Sequence, residues 1–326
     1  MPARTTPHRS YGLTSGRKPA CASVIAVADE DSPALRHALA TLARQVKEEG
    51  AELILIFSSW PDDLAEPSRR ALMPLVDLLL FEPRPGRAVA LNTAVHAALT
   101  DVIAIVGVHS HIAGSWLPAL LTPLWQDPEL AGVGGPVETV FPGGEVPRWY
   151  RPLSQDPVAS FLLPVHHMGP VAREYASPAP GALAAVPLGS NCAWRREWLL
   201  RFPFDESLPD GSSVGAEAGD GEDVLLGHRV LEAGGRIAYA PRAVVYRPTP
   251  ASEIGEGSAL AWSQVRGQKY ARVMDAMGEG STAPTDRLKA QSTSPWRSRL
   301  RKKTTREYAA HVSSFAEGTA LGRSGD

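Results

Sequence analysis

Three carboxylates, Asp220, Glu222 and Asp223, fall within four residues of one another. Carboxylates so crowded raise one another's pKa, while the start of a helix lowers it. A carboxylate balanced between the two can take a proton from a hydroxyl. Two histidines, His109 and His111, follow directly on an apolar run, and imidazole either binds a transition metal or carries a proton. Arg87 and Arg247 are cations of the kind that grips phosphate oxygens with two parallel hydrogen bonds. The chemistry these groups share is acid–base catalysis on an anionic substrate. Each also has a plainer reading. Acidic residues favour the first turn of a helix, a loop histidine bonds to backbone, and an arginine closes a strand at the surface.

The elements that must position these groups alternate along the chain. Residues 101–107 are a short apolar run rich in β-branched side chains, which suits a strand covered on both faces. Further strands are expected over 22–28, 53–57, 78–82, 131–137, 236–240 and 243–246. Helices are expected over 33–50, with Ser32 as its cap, and over 67–75, 87–98, 114–126, 195–201, 222–233 and 258–277. This order predicts an α/β fold with a mostly parallel sheet and helices on both faces. Right-handed crossovers then bring the loops after the strands, carrying Asp29 to Asp31, residues 58–63 and residues 107–111, to one edge.

Composition narrows the class. The chain has 326 residues, is 44% hydrophobic and 21% charged, and carries a formal net charge of -2. Such a balance gives no reason to expect nucleic acid as a partner. No apolar run approaches the roughly 18 residues of a membrane span, and the longest candidate, 71–81, is interrupted by Pro74 and Asp77. The first residues lack the apolar centre of a signal peptide, and two cysteines make neither a disulfide framework nor a metal knuckle. A cytoplasmic protein is expected. Residues 1–20 read as a disordered leader, 21–277 as the folded domain, and 278–326, with its basic cluster at 297–303, as a polar tail. The domain divides into halves at 21–138 and 139–277. The second half opens with a long irregular segment, 139–185, that holds Trp149, Tyr150, His166 and His167.

The order of short motifs resembles a family 2 glycosyltransferase of the GT-A fold over about 22–277. Its landmarks are Gly86-Arg87-Ala88 with Leu91-Asn92-Thr93, Trp116-Leu117, Gly134-Gly135-Pro136-Val137, Gly189-Ser190-Asn191 with Ala193-Trp194-Arg195-Arg196, and Gly221-Glu222-Asp223 with Gly227 and Arg229. The resemblance implies a Rossmann-like sheet and a nucleotide-sugar donor. It also implies a small-molecule or peptide acceptor and inverting transfer with Asp223, beside Glu222, as base. Asp29, Arg87, Asn92, His109 and Arg247 would then face the donor, and Ser190, Asn191 and Trp149 the acceptor. Three positions depart from the family. Phe57-Ser58 replaces an Asp after the second strand, Gly107-Val108-His109 replaces Asp-x-Asp, and Arg247 replaces a late histidine. By the resemblance, the first lost acid helps hold the nucleotide base, and the Asp-x-Asp carboxylates contact the ribose and bind a divalent metal, Mn or Mg, on the diphosphate. One imidazole at His109 is a poor ligand set for a hard cation. Arg247, helped by Arg87, would neutralise the diphosphate without metal. The alternative is a catalytically silent GT-A scaffold that binds a partner enzyme or a ligand.

Overall fold

The computed structural model describes residues 10–12, 20–58, 65–146, 166–176, 185–208, 221–249, 264, 267, 268, 271–277 and 317. The β-branched and leucine-rich runs form strands because such side chains fit a pleated surface buried on both faces. In chain order the elements are β1 (Ser10–Gly12), β2 (Ser23–Ala28), α1 (Pro33–Glu48), β3 (Glu52–Ser58), α2 (Glu66–Leu72), β4 (Leu78–Glu82), α3 (Arg87–Ala97), β5 (Val102–Gly107) and β6 (His111–Ile112). There follow α4 (Trp116–Gln126), β7 (Leu130–Gly134), β8 (Val137–Val140), β9 (Arg173–Glu174), β10 (Asn191–Arg195), α5 (Arg196–Arg201), α6 (Glu222–Glu232), β11 (Arg236–Tyr239) and β12 (Val245–Pro248).

Among the described residues the large sheet has the order β1-β4-β3-β2-β5-β10-β7-β11-β9, and a small sheet has the order β6-β12-β8. Strands β2 to β5 pair in parallel, as the alternation of strand and helix predicts. One face of the sheet, with Val24, Ala104 and Val106, packs on Leu35, Leu39, Leu42 and Val46 of α1 and on Trp116, Leu117 and Leu120 of α4. The other face, with Ile25, Ile54, Ile103 and Ile105, packs on Ala90, Leu91 and Ala94 of α3 and on Leu226 and Val230 of α6. Among the described residues, no helix is long and apolar enough to cross a membrane.

Three features differ from the sequence expectation. Residues 191–195, expected to lead straight into a helix, form β10, which runs antiparallel between β5 and β7. The strand expected over 131–137 is two strands. Gly135 and Pro136 turn the chain out of the large sheet, and a Cβ at Gly135 would lie 2.2 Å from the Ala243 carbonyl oxygen. Residues 10–12, inside the expected leader, pair antiparallel with β4.

Two buried amides fix the framework. Gln45 on α1 donates to the carbonyls of Ala113 and Gly114, both at 3.0 Å, and accepts from Leu117 N–H at 3.1 Å, so it closes the start of α4. Asn191, fully buried at the start of β10, accepts from Trp116 Nε1 at 2.8 Å. It donates to the carbonyls of Pro136 at 2.8 Å and Ala243 at 2.7 Å. The large sheet, α4 and the crossing to the small sheet are thereby joined at one side chain.

Candidate active site

Register aligns the carboxyl ends of three parallel strands. Val27 lies opposite Gly107 and Ala28 opposite Phe57, so the loops after β2, β3 and β5 leave from one edge. Ligands bind at this edge of open α/β sheets. Beyond β5 the chain makes a tight turn in which Ser110 N–H donates to the Gly107 carbonyl at 3.1 Å, with His109 half-buried at its tip. Strand β10 runs the other way, so its first residue reaches the same edge, with Asn191 opposite Val106. The residues just before it, Gly189 and Ser190, therefore join the site, and Gly107 N–H donates to the Ser190 carbonyl at 3.0 Å.

The acidic pair arrives on α6. Gly221 caps this helix with φ 99°, a left-handed conformation that only glycine adopts without strain. The turn sets Glu222 and Asp223 in the first helical turn, 1% and 4% exposed. Asp223 Oδ2 accepts from Gly189 N–H at 2.7 Å, and Oδ1 accepts from Val224 N–H at 2.8 Å. The carbonyl of the same Gly189 accepts from Arg87 Nη2 at 2.8 Å, and Arg87 Nε lies 3.7 Å from Glu222 Oε1. The backbone of one residue, Gly189, thus touches both Asp223 and a guanidinium. Arg87 heads α3 behind Gly86, which has φ 118°. Residues 271–277 cover the far side of the α6 cap, where Val273 packs with Leu225.

The expected site residues sort into those brought together and those used elsewhere. Asp223, Glu222, Arg87, Ser190 and the turn carrying His109 form one contiguous group. Asp29 stands exposed at the end of β2 on the same edge. Asn191, expected on the acceptor side, has its amide committed to the three framework bonds above. Asn92, expected at the donor, donates to the Phe204 carbonyl at 2.9 Å and to Glu206 at 3.0 Å, and it accepts from Phe204 N–H at 3.0 Å. It holds residues 204–206 against α3. Arg247 is buried on β12 of the small sheet, opposite Thr139, one residue beyond Tyr246, which faces His111. Trp149 and Tyr150 lie outside the described residues.

Another residue near the edge, Glu82, escaped the sequence reading. Glu82, at the end of β4, is buried and accepts from Thr93 Oγ1 at 2.6 Å and from Arg84 Nε at 3.0 Å. Burial pushes its pKa up, but the bonds from Arg84 and Thr93 outweigh that and hold it below the usual range. His166, in the long irregular segment, is buried. Its Nε2 lies 2.6 Å from the Tyr175 hydroxyl, with the rings stacked and Tyr239 edge-on to both. Burial, and then the neighbouring His167, push the His166 pKa down to about 4. No spacing rule links 166, 175 and 239. Their meeting follows from β9 and β11 pairing.

Among the described residues, no three His, Cys, Asp or Glu side chains gather as a set that could hold a metal ion. At the end of β5 the side chains on offer are a glycine, a buried valine and one imidazole.

The chain resembles known proteins in sequence and fold. The family model described as glycosyl transferase family 2 matches residues 23–199. The succinoglycan biosynthesis protein ExoM of Rhizobium meliloti (strain 1021) is 30% identical over 261 residues, which are 76% of this chain and 74% of that protein. Two solved structures share the fold. The mannosyltransferase PcManGT from Pyrobaculum calidifontis, in complex with GDP-Man and Mn2+, has a TM-score of 0.53 at 18% identity over 95% of this chain and 78% of its own. GalNAc-T7 with UDP, GalNAc and Mn2+ has a TM-score of 0.54 at 14% identity over 93% of this chain and 57% of its own. With over half its length matched by the family model and a relative at 30% identity across three quarters of it, the chain belongs to glycosyl transferase family 2.

Proposed function

We propose that the protein moves a sugar from a nucleoside-diphosphate donor to an acceptor hydroxyl with inversion, and that Asp223 is the base. The observation that carries this reading is the placement of Asp223. It is a nearly buried carboxylate on the carboxyl edge of the sheet, oriented by the Gly189 N–H and backed by Glu222 and Arg87. Asp223 takes the proton of the acceptor hydroxyl as its oxygen attacks the anomeric carbon. The bond from that carbon to the diphosphate oxygen breaks, and the nucleoside diphosphate departs with the electron pair. Likeness to a succinoglycan biosynthesis protein favours a saccharide among small-molecule and peptide acceptors. The relatives bound to GDP-Man or to UDP support a nucleotide-sugar donor.

The leaving diphosphate needs a positive partner. The described residues do not fit a divalent cation, because Gly107-Val108-His109 supplies one neutral ligand where a hard cation prefers several oxygens. In our reading that charge comes from Arg247, with Arg87 assisting from the same edge as the base. A panel of nucleotide sugars screened by thermal shift identifies the donor, since ligand at 100 times its Kd stabilises by about 2.7 kcal/mol. Turnover with that donor is expected to persist in excess EDTA and to be lost in Arg247→Ala. Strict dependence on added metal refutes the arginine reading. If no nucleotide or sugar donor shifts the protein, it is a silent scaffold that binds a partner enzyme or another ligand.

A further inference from the structure

Gly107 has no side chain, and the space one would occupy is already taken. A Cβ built there lies 2.8 Å from Ser110 Oγ and 3.3 Å from Ser190 Cβ. The tight turn closed by the Ser110 N–H to Gly107 carbonyl bond folds Ser110 back over the strand end. Ser110 is 8% exposed, and its hydroxyl is buried without a hydrogen-bond partner among the described residues. A buried hydroxyl left unsatisfied costs about 1–3 kcal/mol, so native proteins seldom keep one without a use.

The face on which this hydroxyl sits is fixed by strand alternation. Val102, Ala104 and Val106 pack toward α1 and α4, while Ile103 and Ile105 pack toward α3 and α6. Position 107 continues the second set, so Ser110 Oγ lies on the side of the sheet that also carries the α6 base. A continuous path of contacts confirms the neighbourhood. Ser110 lies over Gly107, Gly107 bonds Ser190, and the adjoining Gly189 bonds both Asp223 and Arg87.

We propose that Ser110 is a donor-binding residue, its hydroxyl hydrogen-bonding an oxygen of the nucleoside diphosphate at the place where the side chain of residue 107 would otherwise stand. This rests on the reading of the protein as a nucleotide-sugar transferase. A neutral hydroxyl replaces a carboxylate at this point, so the contact requires no cation between protein and nucleotide. The same crowding means that a larger residue at 107 must displace Ser110 before it can enter.

The test is titration calorimetry of the full chain with UDP, GDP, dTDP, CDP and ADP in EDTA, for the wild type, Ser110→Ala and Gly107→Ala. The wild type is expected to bind at least one of them. Ser110→Ala is expected to bind that nucleotide about tenfold more weakly, as a lost hydrogen bond to a charged group would give. Its melting temperature is expected to be unchanged or raised, because Oγ makes no bond among the described residues. Gly107→Ala, whose methyl displaces the hydroxyl, is expected to lose affinity in parallel. Unchanged affinity in both variants overturns the role of Ser110 while leaving the transferase reading intact. A fall in melting temperature in Ser110→Ala with no fall in affinity assigns the hydroxyl to the fold and equally overturns it. A wild type that binds none of the five removes both the reading and the inference.

Discussion

The backbone N–H of Gly189 donates to Oδ2 of Asp223 at 2.7 Å, which joins the start of β10 to the first turn of α6. An asparagine at 223 keeps one oxygen for that bond, but loses the second acceptor that meets Val224 N–H and the capacity to take a proton. Asp223→Asn is therefore expected to lower kcat by about 10²- to 10⁴-fold. Nucleotide affinity, measured by calorimetry, should stay within a factor of about three. A variant with full turnover excludes Asp223 as the base.

Arg87 bridges the Gly189 carbonyl and Glu222, and Glu222 is only 1% exposed. Removing one member of a buried pair strands the charge of the other. Arg87→Met should lower stability to urea by about 3 kcal/mol. Adding Glu222→Gln should recover much of the loss, because the stranded charge is then gone. Additive effects in the double variant would show that the two side chains do not interact.

Asn191, itself fully buried, bonds three partners. Asn191→Ala removes the partner of the Trp116 indole N–H and of the Ala243 carbonyl, while the Pro136 carbonyl keeps the Val245 N–H. At about 1–3 kcal/mol for each unsatisfied group, the loss should be about 2 kcal/mol or more. Chemical denaturation read through tryptophan fluorescence measures it, and a loss under about 1 kcal/mol would contradict the framework role.

The buried His166 ring has its pKa pushed down to about 4 by burial. The folded state thus resists a proton that the unfolded chain accepts below its ordinary value of about 6.5. Stability from this group is whole above pH 6.5 and is lost as pH falls from 6.5 toward 4, by up to about 3 kcal/mol. His166→Gln keeps a group that can bond the Tyr175 hydroxyl but does not titrate. Urea melts at pH 7 and pH 4.5 should show a smaller acid loss in this variant than in the wild type. Equal losses would place the acid sensitivity elsewhere.

The parallel half of the sheet was legible because β2 to β5 are apolar runs whose type and length speak for a strand on their own. Residues 191–195 carry no such pattern, since Asn-Cys-Ala-Trp-Arg is a strand only because β5 and β7 offer it an unpaired edge on each side. Asn191 was singled out as a site residue from its motif. Its partners Trp116, Pro136 and Ala243 stand 75, 55 and 52 residues away, and only the folded chain reveals that they share its amide. The acidic pair could be found because glycine before two carboxylates at a helix start is a local signal. Gly189 was named only within its motif, and its bonds to Asp223 and Arg87 could not be read, because it acts through its backbone and has no side chain. Ser110 was hidden for a related reason, as its place depends on what Gly107 lacks.

Strand β10 enters the sheet from the edge at which β2, β3 and β5 leave it. What lies upstream of Gly189 is thus handed to the working edge as an incoming thread, stitched down by Asn191 before the chain turns back into the interior. Insertions or deletions ahead of that stitch alter what is presented there while leaving the pairing of β2, β3 and β5 undisturbed. The molecule therefore has a floor of parallel strands and, beside it, an incoming wall held by the single amide of Asn191.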